Sequence, residues 1–66
     1  MLNDAIKNVV EIQLSGYDIA VRKSSIEVSS KDELISGYYL KRVIKFCEKY
    51  GLEFGIMRGV ICIYHK

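Results

Sequence analysis

Apolar residues recur at helical spacing most plainly between Ser30 and Gly51. At 3.6 residues per turn Ile35, Tyr39, Leu40, Val43, Ile44, Phe46, Cys47 and Tyr50 share one broad stripe, and Lys41, Arg42, Lys45, Glu48 and Lys49 fall opposite. The pattern predicts an amphipathic helix of about five turns. Its start reads as a capping box of Ser30 with Glu33, in which each side chain satisfies a backbone N–H that the first turn leaves unpaired, and Gly51 supplies the stop. Gly37 then lies inside the helix, where glycine is less favourable than alanine by ~1 kcal/mol. Packing against a second helix or close approach of a partner would account for it.

Ahead of this helix, Leu2, Ala5, Ile6, Val9 and Val10 also repeat at helical spacing, with Asn3 placed as a cap and Gly16 as the stop. A strand competes for the second half of the segment, because Val10, Ile12 and Leu14 alternate with Glu11 and Gln13 before the Ser15-Gly16 turn signal. The helix is the preferred reading. Period-two alternation takes over in Ile19 and Val21, then in Ile26 and Val28, which predicts a hairpin connected through Lys23 and Ser24. A second hairpin, Phe54 to Met57 and Val60 to Tyr64, turns at Arg58-Gly59, a two-residue loop with glycine available for positive φ.

The two halves resemble each other. Displaced by 35 positions, Gly16 to Val21 overlies Gly51 to Ile56, Lys23 overlies Arg58, Ile26 overlies Ile61 and Val28 overlies Ile63. The match is one of residue class, so shared helix-to-hairpin grammar and true duplication both account for it. Either way the first helix gains support, since Ala5, Val9 and Ile12 then overlie Leu40, Ile44 and Cys47. The prediction is one domain with an αββ pseudo-repeat, residues 1–30 and 31–66. It folds as an α+β two-layer sandwich of αββαββ order, with a four-stranded antiparallel-rich sheet and two helices on one face. That order is a ferredoxin-like chain with its first strand moved to the end, a remark about topology that implies no function.

Register then assigns faces. Val21 is predicted opposite Ile26, Ile19 opposite Val28, Ile56 opposite Ile61 and Phe54 opposite Ile63, and these eight side chains form the sheet's contribution to the core. The other face receives Ala20, Arg22, Glu27 and Ser29 from one hairpin but Met57, Val60, Cys62 and Tyr64 from the other. Half of that open face is apolar. Leaving such side chains wet forgoes ~1.5 kcal/mol or more for each large one. At 66 residues folding buries only ~60% of the surface of the unfolded chain, so covering them matters to a thin stability margin.

Charge and chemistry change this picture little. A net charge of +2 is too small by itself to imply a nucleic-acid or membrane partner. Lys41, Arg42, Lys45 and Lys49 nevertheless gather on the polar side of the long helix beside Tyr38, as phosphate-backbone binding would use them. A solvated face whose lysines complement the helix dipole explains the same residues. Cys47 and Cys62 stand in no metal-type or redox spacing, and their sparsity points to the cytoplasm. No apolar run or basic leader reads as a membrane span or signal peptide. His65 is the lone histidine and falls beside a terminus, Cys47 reads as core, and Cys62 lacks a basic neighbour. No catalytic residue, cofactor, metal site or small-molecule ligand is expected.

Three functional readings follow, led by a non-enzymatic binding module that meets another protein, a homodimer mate first, through Met57, Val60, Cys62 and Tyr64. The second is nucleic-acid binding through Tyr38, Lys41, Arg42, Lys45 and Lys49. The third, a small viral or host-directed inhibitor, rests on size alone.

Overall fold

In the computed structural model, which describes residues 2–65, the chain runs through α1 (Leu2–Lys7), a 3₁₀ turn (Val9–Ile12), β1 (Tyr17–Val21), β2 (Ser25–Ser30), α2 (Gly37–Tyr50), β3 (Leu52–Met57) and β4 (Val60–His65). The sheet order is β1-β2-β4-β3, antiparallel at every pairing. This is the α+β sandwich expected, with the long connections placing β2 and β4 at the centre and β1 and β3 at the edges. Both hairpins keep the predicted register: Ile19 is opposite Val28, Val21 opposite Ile26, Phe54 opposite Ile63 and Ile56 opposite Ile61. Arg58 at φ 50° and Gly59 at φ 76° both take positive φ, the turn geometry that matches the right-handed twist of paired strands.

The core lies between the sheet and the helices. Ile26, Val28, Ile61 and Ile63 of the central strands are fully buried against Ala5, Ile12, Tyr39, Val43, Phe46 and Cys47. The edge positions differ from expectation. Ile19 and Phe54 are partly buried, whereas Val21 and Ile56 are about half exposed. The helix layer is narrower than the sheet. Its long helix reaches β1 through the stack of Tyr39 on Tyr17 and runs on into β3 at Leu52, so the two remaining corners, Val21 and Ile56, stay uncovered.

The long helix begins later than the sequence suggested. Ser30 is the last residue of β2, where its N–H donates to Gly59, and its hydroxyl meets Asp32 and the Leu34 carbonyl in place of a helix cap. Glu33 sits at φ 63°, a left-handed conformation that no helical turn contains, and the Leu34 N–H donates to Asp32. Ser36 is the cap instead, its hydroxyl accepting from the Tyr39 N–H at 3.1 Å. Gly37 is therefore the first helical residue rather than an interior one. Length decides between the two serines. A 14-residue helix is ~21 Å long, close to the ~20 Å of the six-residue strands beneath it, whereas six further residues would overhang by ~9 Å. Gly51 at φ 66° ends the helix as predicted.

The N-terminal segment is helical, but in two pieces. After Lys7 the chain tightens into the 3₁₀ turn, in which Ile12, seven residues on from the buried Ala5, still faces the core, while Val10 leaves the predicted stripe and is 66% exposed. Asn3 lies within α1 and is no cap, and Gly16, at φ 95°, serves the reversal into β1.

Candidate binding surfaces

The pleat sorts the open face of the sheet into three rows across four strands. Asp18, Ser29, Val60 and Met57 form the first row, Ala20, Glu27, Cys62 and Gly55 the second, and Arg22, Ser25, Tyr64 and Glu53 the third. The four residues predicted as an interface therefore come together on β3 and β4. Met57 is 73% exposed and Tyr64 38%, while Val60 and Cys62 are half-buried among their row neighbours. On the polar half Arg22 binds Glu27 at 3.2 Å in a solvent-exposed pair. Asp18 and Glu53 also stand on this face. Period two requires it of both, because they flank the inward Ile19 and Phe54.

The second surface is a groove of about 380 Å³ between α2 and the 3₁₀ turn. All five residues proposed for nucleic-acid contact line it, with Phe46 and Glu11. Helical geometry explains the convergence, since residues 38, 41, 42, 45 and 49 follow one flank at spacings of three and four. Within it Arg42 lies 5.5 Å over the Tyr38 ring and donates to the Tyr38 hydroxyl at 3.2 Å. At the other end Lys49 binds Glu11 at 3.1 Å and the Tyr50 hydroxyl donates to Glu11 at 2.9 Å. These bonds hold the Glu11 carboxyl below its usual range, and the same carboxylate raises Lys49. Burial and that hydrogen bond raise Tyr50. Among the described residues, Lys41, Arg42 and Lys45 form no ion pair.

Two constellations were invisible in the sequence. Tyr17 and Tyr39 stack with ring centroids 3.8 Å apart, and the buried Tyr39 hydroxyl donates to the Ile12 carbonyl at 2.7 Å. Glu11 clamps the end of α2 from 38 and 39 residues away. Neither separation carries a local signal; the only hint was an acidic residue in a segment that must lie beside a basic helix.

The thiols lie on opposite sides of the sheet. Burial pushes Cys47, beneath α2, up to about 11, while Cys62 stands on the open face. His65 ends β4 opposite Leu52. No group of three metal-ligating side chains occurs among the described residues, and no helix among them is long and apolar enough to cross a membrane. The fold and its surfaces thus define a small α+β sandwich with a half-apolar sheet face on one side and a cationic groove on the other. Comparison with protein-family models, curated proteins and solved structures finds no match.

Proposed function

We propose that this protein is a non-enzymatic binding module of the cytoplasm that pairs with a second copy of itself through the open face of its sheet. The observation that carries the reading is the contiguous patch of Met57, Val60, Cys62 and Tyr64, which neither helix covers. Each square ångström of apolar surface removed from water contributes about 25 cal/mol. A 66-residue chain has few other ways to gain it.

The face suits a copy of itself. A two-fold axis along the middle row exchanges the first and third rows, which brings Val60 against Tyr64 of the mate, Asp18 against its Arg22 and Met57 against the methylene stem of its Glu53. Glu27 falls near the axis, where its bond to Arg22 offsets repulsion from the symmetry-related carboxylate. The footprint, ~19 Å across four strands and ~20 Å along them, is roughly half the ~800 Å² per partner of a standard specific interface, so association is weak and concentration-dependent.

Pairing of β3 edges is the alternative geometry, because that strand lacks proline and carries only Glu53 as a charge. Val60→Glu separates them. Placed on the open face, the charge is expected to abolish the dimer in sedimentation velocity, whereas an edge dimer joined through backbone survives it. A parent that remains monomeric well above micromolar concentrations refutes self-association.

A further inference from the structure

We infer that the groove between α2 and the 3₁₀ turn binds the phosphodiester backbone of single-stranded nucleic acid, with Tyr38 stacking an unpaired base. The inference is independent of dimerisation, since the groove lies in the helix layer and the dimer face on the opposite side of the sheet.

Charge is concentrated there beyond what composition conveys. Four cations and one carboxylate give the groove +3, against +2 for the whole chain, so everything outside it sums to −1. Three of those cations are available. Lys41, Arg42 and Lys45 have no carboxylate partner among the described residues, whereas Lys49 is held by Glu11. They lie along one flank of a helix, and that line follows a strand of phosphates better than it encloses a single anion.

The aromatic decides between kinds of polyanion. Tyr38 is 65% exposed, and its ring is already oriented by Arg42 from 5.5 Å. A ring fixed beside cations and open to solvent stacks on the face of a nucleobase. In a duplex those faces are occupied by neighbouring bases, and a lipid headgroup has none. A single strand uses both the cations and the ring.

Glu11 makes the inference testable in both directions. Each cation that neutralises a phosphate of a single strand adds about −0.7 to the slope of log affinity against log salt. With three available cations, raising salt fourfold is expected to weaken binding of a fluorescein-labelled oligothymidylate roughly 20-fold. The double variant Lys41→Gln, Lys45→Gln leaves one, and the same change of salt then weakens binding only about 3-fold. Glu11→Gln releases Lys49, so it is expected to bind more tightly than the parent at low salt and to weaken roughly 50-fold over that range. Tyr38→Ala is expected to lose affinity without changing the slope, because stacking releases no counterions. All these positions are exposed or half-exposed, and circular dichroism checks that each variant is folded.

Fluorescence anisotropy supplies the affinities, with a duplex of equal length and vesicles of one-third phosphatidylserine as further arms. Tighter binding to duplex or vesicles than to the single strand overturns the assignment. Failure of Glu11→Gln to tighten binding, or an unchanged slope in the double lysine variant, overturns the groove as the site. A Val60→Glu monomer that binds the oligonucleotide like the parent leaves the inference intact, even if the dimer proposal has failed.

Discussion

Tyr39 joins three parts of the chain: its ring stacks on Tyr17 of β1, its backbone N–H donates to the Ser36 cap, and its hydroxyl donates to the Ile12 carbonyl. Burial, with the neighbouring Tyr17 adding to it, pushes Tyr39 up to about 12, and burial alone takes Cys47 to about 11. In each case the folded state retains a proton that the unfolded chain releases sooner. Their stabilising contribution is complete at neutral pH and is lost as pH rises through the unfolded values and up to the folded ones. Tyr39→Phe preserves the ring stack but leaves the Ile12 carbonyl without its donor, a loss of about 1–3 kcal/mol. The expected outcome in urea titrations is lower stability at pH 7 and a shallower decline between about pH 10 and 12 than in the parent. A decline as steep as the parent's would show that another group governs alkaline unfolding. The sequence marked Tyr39 only as a member of the helix stripe, because a hydrogen bond across 27 residues leaves no periodic trace.

At the scale of elements, the strands were the most legible part. Alternation and the Arg58-Gly59 turn fix register within each hairpin, and a one-residue slip would carry Ile61 and Ile63 into solvent. The interrupted N-terminal helix and the delayed start of α2 were less legible, because local signals state only what a segment tolerates; for α2 the length of the layer beneath selects among them. Ser30 and Ser36 are both competent caps, and only Ser36 begins a helix that matches the sheet. Ser36→Ala is accordingly expected to destabilise the fold by ~1 kcal/mol in urea titration. Gly37→Ala is expected to be neutral or stabilising, because an added Cβ meets nothing within 4 Å and helical backbone favours alanine. A marked destabilisation by Gly37→Ala would mean that another chain or element approaches it closely.

For the whole molecule, both surfaces could be located from residue pattern but only partly described. The apolar half of the open face followed from alternation, and the basic flank from helical spacing. The placement of Asp18 against Arg22 across a two-fold axis needed the row structure of the sheet, and the restraint on Lys49 needed Glu11 brought beside it. Self-association through the open face is the central functional claim, and the two native cysteines report on it directly. Cys62 occupies the middle row of that face, and Cys47 lies buried on the other side of the sheet. In dilute protein Cys62 is expected to react faster with a thiol reagent, being half-exposed where Cys47 is buried with its thiol pushed up to about 11. As protein concentration rises through the range in which sedimentation shows dimer, the rate at Cys62 is expected to fall while that at Cys47 stays constant. A Cys62 rate that does not change with concentration, in protein shown to be dimeric, would place the contact elsewhere and contradict the proposal.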